Sequence, residues 1–123
     1  MKKILLVDDD RTVQKLLGET LRRRGFEVVI CGDGVSAIAA IKKEHPDAVI
    51  LDVMMPELNG YDVCHSIKFD PQYKSLPIIL VTSREQELDP RLAALLGIEY
   101  MHKPCSPQDI LMKIDKIFSG DMN

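Results

Sequence analysis

No apolar run in the 123-residue sequence approaches the roughly 20 residues that a membrane-spanning helix needs. The start, Met1-Lys2-Lys3-Ile4, has the basic opening of a secretory leader. Its apolar run ends at Val7, however, and Asp8 follows, which is too short for the apolar part of such a leader. An excess of positive charge is also missing: 16 Lys and Arg face 19 Asp and Glu, and a net charge of -3 gives no footprint for direct nucleic-acid binding. Cysteine is scarce and odd in number. Cys31, Cys64 and Cys105 have no CxxC spacing, which argues against a disulfide framework or a zinc site. The histidines His45, His65 and His102 show no ligand spacing and read as surface or rim residues. Internal repeats and low-complexity linkers are absent too. These absences leave a reduced, soluble, cytoplasmic chain with neither membrane nor nucleic acid as a direct partner. Its length suits one domain, able to bury roughly two-thirds of its unfolded surface. A content of 46% hydrophobic and 28% charged residues is ordinary for a globular protein.

What is present is a regular alternation. Lys3 to Val7, Phe26 to Cys31, Ala48 to Leu51, Pro77 to Val81 and Ile98 to His102 are short apolar or β-branched runs, predicted as five strands. Between and after them lie helical spacings. Val13, Leu16, Leu17 and Leu21 share one face, as do Ala37, Ile38 and Ile41, and then Val63, Cys64 and Ile67. Pro90 to Leu96 is a short helix capped by Gly97. The last helix puts Ile110, Leu111, Ile114, Ile117 and Phe118 on one face behind Ser106 as N-cap and Pro107 as first residue. Gly25 ends the first helix, whose closing Arg22-Arg23-Arg24 suits a helix C-terminus rather than a binding patch. Strands alternating with helices imply a parallel sheet covered on both faces, and right-handed crossovers bring every strand exit to one edge.

That edge collects chemistry. Exits one, three, four and five deliver Asp8-Asp9-Asp10, Asp52, Thr82-Ser83 and Lys103. After Asp52 the chain turns at once: Pro56 bars a helix through Met55, and Asn59-Gly60 supplies turn chemistry. Like charges ~4 Å apart cost about 4 kcal/mol at an effective dielectric of ~20, so either one carboxyl stays protonated or a cation binds. An open, all-oxygen site suits Mg²⁺, with Mn²⁺ as a substitute. Carboxylate, metal, hydroxyl and ammonium together form a set for handling a phosphoryl group. Asp10 reads as the N-cap of the first helix.

Val7-Asp8-Asp9, Asp52-Val53-Met54-Met55-Pro56 with Gly60, Val81-Thr82-Ser83, and Tyr100 with Lys103-Pro104 resemble the receiver domain of two-component response regulators. The resemblance runs in order through essentially the whole chain. It implies a flavodoxin-like, doubly wound five-stranded parallel sheet of order 2-1-3-4-5 with five helices, in three αβα layers. It also implies that Asp52 accepts a phosphoryl group from a sensor histidine kinase or His-phosphotransfer protein. Asp8, Asp9, Asp52 and the Met54 backbone carbonyl would hold Mg²⁺, while Thr82 and Lys103 would contact the phosphoryl group. Thr82 and Tyr100 would form a switch read by a downstream protein on the surface of the fourth helix, fifth strand and fifth helix. By the same resemblance the Lys103-Pro104 bond is cis, and Met54 and Arg84 tune phosphoryl lifetime. Such a domain is no enzyme beyond its own phosphotransfer and slow autodephosphorylation.

Two departures stand out. Cys105 replaces the aromatic residue usual after Lys-Pro, and Gly97-Ile98-Glu99-Tyr100 is one residue shorter than the family pattern. Three rival readings are weaker. Asp8-Asp9-Asp10-Arg11-Thr12 fits the DxDxT pattern of haloacid dehalogenase-like phosphatases, with Asp8 as nucleophile and Asp10 as general acid/base. That reading lacks a late acidic pair and leaves Asp52 idle. A phosphorylation-independent pseudo-receiver needs no charge-burdened pocket. Flavin binding would set three aspartates against a phosphate. The expected division is a receiver domain over residues 1–118 and a tail or linker start over 119–123, with no output domain.

Overall fold

Runs of apolar residues that do not alternate with polar ones bury both faces of a strand, and five of them build one parallel sheet. In the computed structural model, which describes residues 1–55, 57–83 and 90–120 apart from the side chains of 90, 92 and 94, the strands are β1 (Lys3–Val7), β2 (Glu27–Cys31), β3 (Ala48–Asp52), β4 (Ile78–Thr82) and β5 (Ile98–His102). Their order is β2-β1-β3-β4-β5, every pair parallel, as the resemblance implied. The helices are α1 (Arg11–Arg23), α2 (Gly34–Glu44), α3 (Gly60–Lys68), α4 (Pro90–Leu95) and α5 (Pro107–Ser119), with a 3₁₀ turn at Pro71–Tyr73. The expectations for Pro56, Arg84 and the residues 121–123 lie outside the described residues.

The sheet divides the core in two. On one side Leu17 and Leu21 of α1 and Ile110, Leu111 and Ile114 of α5 pack on Ile4, Leu6, Ile50, Ile79 and Val81. On the other, α2 and α3 bring Ala37, Ile41, Val63, Cys64 and Ile67 onto Leu5, Val7, Val49, Leu51 and Leu80. β3 and β4, in the middle, are buried at every residue. Full burial of such a side chain stabilises by roughly 1.5–3 kcal/mol, before the entropy of ordering the chain is subtracted.

Local chemistry sets the ends. Asp10 caps α1, accepting from the Thr12 and Val13 amides; Asp33 caps α2; Ser106 and Asp109 form a capping box on α5. Three expectations shift. Leu16 is exposed, because the buried line of α1 runs through Leu17, Gly18 and Leu21 and turns Leu16 to its flank. Phe26 stands before β2 and packs against Phe118, with 5.6 Å between ring centroids. Thr82 belongs to β4 rather than following it.

Asn59 and Gly60 also work differently from a simple turn. Asn59 caps α3 in a capping box with Asp62, and Gly60 is the first helical residue. A Cβ at Gly60 would stand 2.7 Å from the Asp52 carbonyl oxygen and 2.9 Å from the Val53 Cα. Glycine is therefore needed for close approach to the exit of β3. Gly60→Ala is expected to lower stability by about 1–3 kcal/mol, read as a reduced urea midpoint. An unchanged midpoint would mean that the β3 exit moves without cost.

Candidate functional site

Register places the site. Val7 pairs with Leu51 and Asp52 with Val81, so Asp8 leaves β1 level with Asp52. Ladder bonds continue past the strand ends: the Asp8 amide donates to the Cys31 carbonyl at 3.1 Å, Val53 to Val81 at 3.1 Å, and Lys103 to Thr82 at 2.8 Å. The backbone under each group is therefore held by the sheet itself. The Lys103-Pro104 peptide is cis.

Alternation along the strands sorts the side chains. Asp8 and Asp52 continue the series of Ile4, Leu6 and Ile50, on the side covered by α1 and α5. Both are buried, 6% and 4% exposed, while Asp9 is exposed. One carboxylate oxygen from each of the three lies within 4.8 Å of the others. Asp52 Oδ1 accepts from the Met54 amide at 3.2 Å and faces Lys103 Nζ at 3.2 Å. Asp8 Oδ1 accepts from the Asp10 amide at 2.8 Å, and Gln14 Nε2 donates to the Asp8 carbonyl at 2.6 Å.

Burial is the main force raising the Asp8 carboxyl above its ordinary range. The charges of Asp52 and Asp9 push the same way, opposed by the Asp10 amide and Lys103. Among the described residues one ammonium thus faces three carboxylates, and each like-charged pair at such a distance costs roughly 3–4 kcal/mol at an effective dielectric of ~20. The donors are all oxygen, and one side is open through Asp9 and the half-exposed Met54. That set fits a hard divalent cation that keeps several waters.

Thr82 and Tyr100 stand apart from this row. Thr82 is fully buried, and alternation puts it with Ile78 and Leu80 on the α2 and α3 side of the sheet. Tyr100, in register with Leu80, is half-buried against the same core. It is Ser83 that lines the depression beside the carboxylates. This cavity of about 510 Å³ runs from Asp8, Asp52 and Lys103 to Val13, Leu17 and Ile110 and includes the half-buried Cys105. Asp10, cast as general acid in the phosphatase reading, has Oδ1 committed to the α1 amides.

Two residues here escaped sequence reasoning. Gln14, off the apolar face of α1, holds the Asp8 carbonyl; nothing in its spacing signals that. Lys68, at the end of α3, is 6% exposed although its type favours solvent.

The sequence model described as "Response regulator receiver domain" matches residues 4–115. Among curated proteins, the alkaline phosphatase synthesis transcriptional regulatory protein PhoP of Bacillus subtilis is 38% identical over 94% of this chain and 48% of its own length. The DNA-binding response regulator MtrA of Mycobacterium tuberculosis is 34% identical over 92% of this chain and 49% of its own. The chain thus spans about half the length of these relatives. Among solved structures, the chemotaxis response regulator CheY4 of Vibrio cholerae superposes with a TM-score of 0.84 at 29% identity, covering 95% of this chain and 98% of that one.

Crowding of the carboxylates has a measurable consequence. A carboxyl held above its ordinary range costs stability as pH rises through that range, and the cost vanishes once it is protonated in both folded and unfolded states. Asp8→Asn is expected to raise the stability of the metal-free protein by about 0.5–2 kcal/mol at neutral pH. Wild type and variant should converge on acidification. Chemical denaturation at several pH values checks this, and a destabilised variant at neutral pH would contradict it.

Proposed function

The chain belongs to the response regulator receiver domain family of two-component signalling, and from that membership we propose that Asp52 is its phosphoacceptor. The observation that carries this reading is the Lys103–Asp52 pair at 3.2 Å, set beside two further carboxylates on a buried sheet edge. A carboxylate oxygen of Asp52 attacks the phosphorus of a phosphohistidine. The phosphorus–nitrogen bond breaks, and its electron pair stays on the imidazole, which then takes up a proton. Lys103 loses its carboxylate partner as Asp52 becomes an acyl phosphate, and pairs with a phosphoryl oxygen instead. Asp8, Asp9, Asp52 and the Met54 carbonyl are the groups that would hold Mg²⁺ or Mn²⁺, which when bound offsets charge on the phosphoryl oxygens.

The donor is a sensor histidine kinase or a His-phosphotransfer protein. Thr82, whose hydroxyl would contact the phosphoryl group, and Tyr100 share the sheet face away from Asp52 and form the switch. Contacts made only with phosphate present would shift the population between two arrangements. The readout surface is that of α4, β5 and α5, where Leu95 and Met112 are exposed. The receiver unit spans residues 1–118, catalyses nothing beyond its own phosphotransfer and slow autodephosphorylation, and works in the cytoplasm. Among the described residues no helix is long and apolar enough to cross a membrane.

Acetyl phosphate with Mg²⁺ should add one phosphoryl group to the intact protein, observed by mass spectrometry. Asp52→Ala should abolish the addition, and Lys103→Ala should slow it by about 10²–10³-fold. Labelling that persists without Asp52 would instead support a nucleophile at Asp8.

A further inference from the structure

Away from the phosphoacceptor edge, the C-terminal end of α3 contains a buried cation. Lys68 is 6% exposed. Its ammonium donates to the Lys74 carbonyl at 3.2 Å and also to the Leu76 carbonyl. A lysine ammonium has three N–H groups, so these two acceptors leave one. Among the described residues no carboxylate pairs with it. Burial lowers its pKa to about 8, and among the described residues the titratable group that acts on it is the Cys64 thiol, itself pushed up to about 12 and so neutral. Among the described residues it therefore meets carbonyl oxygens but no anion, and buried charges are ordinarily paired with an opposite charge.

Space for an anion adjoins it. A cavity of about 520 Å³ is bounded by Lys68 and by the apolar surfaces of Tyr61, Cys64, Phe69, Leu96 and Ile98, with the His65 ring tilted at 43° against Phe69 at 4.5 Å between ring centroids. Among the described residues it shares no lining residue with the cavity beside Asp52. A volume of this size, mostly apolar with one or two placed polar groups, is what small ligands occupy. Among the described residues its wall holds no carboxylate: α3 contributes Tyr61, Cys64, His65 and Lys68, and the other wall contributes the apolar Leu96 and Ile98. A Cβ at Gly97 would stand 3.3 Å from Lys68 Nζ, so the turn between α4 and β5 lies next to the ammonium.

We propose that this cavity binds a small carboxylic acid with an apolar body, its carboxylate taking the remaining N–H of Lys68 and its hydrocarbon lying between Tyr61, Phe69, Leu96 and Ile98. Charge complementarity selects the acid over an alcohol or an amine of the same shape. The proposal does not depend on the chemistry of Asp52.

Three probes with one body, 4-phenylbutyrate, 4-phenylbutanol and 4-phenylbutylamine, separate the terms by calorimetry and amide chemical shifts. The acid should bind about tenfold more tightly than the alcohol, with the amine weakest. Shifts should centre on the end of α3 and on Gly97. The acid's advantage should be full below the ammonium's pKa of about 8 and lost above it. Lys68→Met removes the cation but strands two carbonyls. Leu96→Trp, which fills the cavity from the other wall, is therefore the second variant. It should reduce binding by about tenfold or more while acetyl phosphate labelling of Asp52 stays unchanged. Equal binding of acid and alcohol, shifts centred elsewhere, or wild-type affinity in Leu96→Trp would overturn the proposal. So would binding of an acidic peptide but not of the small acid, which would assign the surface to a protein partner.

Discussion

Three carboxylates within 4.8 Å of one another, with the Lys103 ammonium beside them, are the constraint around which this molecule is arranged. Nothing in the carboxylates favours that arrangement. It persists because the backbone beneath each group is a continuation of the sheet, fixed by ladder bonds from Asp8 to Cys31, Val53 to Val81 and Lys103 to Thr82. The apolar burial of β1, β3 and β4 therefore supplies the free energy that holds like charges together. Gln14 and the Asp10 amide add polar contacts that fix Asp8 where it enters the cluster. A site kept in this condition responds strongly to whatever charge arrives, which is the physical basis for a phosphorylation-dependent signal.

The sheet also separates the proposed phosphoacceptor from the proposed switch. Asp8 and Asp52 stand on the side of α1 and α5, whereas Thr82 and Tyr100 stand with the core under α2 and α3. Period-two alternation alone makes this division. A phosphoryl group on Asp52 would have to influence Thr82 over the end of the sheet rather than through it. Cys105 bears on the acidic side: it is smaller than an aromatic ring, and it lines the cavity that runs from Lys103 toward Ile110.

Much of this was legible in the residues. Uninterrupted apolar runs gave the strands, and parallel pairing followed from the intervening helical periods. Once all exits share an edge, Asp8, Asp9, Asp52 and Lys103 must meet. The strand order was not readable that way, since periodicity carries no information on which strands are neighbours; it came from the likeness to the receiver family. Leu16 was misplaced because apolar type does not specify where on a helix the contact line falls. Lys68 and Gln14 were overlooked because their roles depend on carbonyls brought near by tertiary packing, far beyond the reach of spacing rules. Thr82 was assigned to the strand exit without regard to which face its alternation gives it.

If the acidic edge is held under charge by the sheet, a divalent cation should stabilise the whole fold. The direct measurement is the unfolding free energy as a function of Mg²⁺ concentration, for the wild type and for Asp52→Asn. The wild type should gain stability with the logarithm of Mg²⁺, about 2.7 kcal/mol at a hundredfold excess over the dissociation constant, and the variant should lose most of that gain. A flat wild-type curve, or the same rise in both proteins, would contradict the assignment of Asp52 to a charge-loaded, metal-holding phosphoacceptor site.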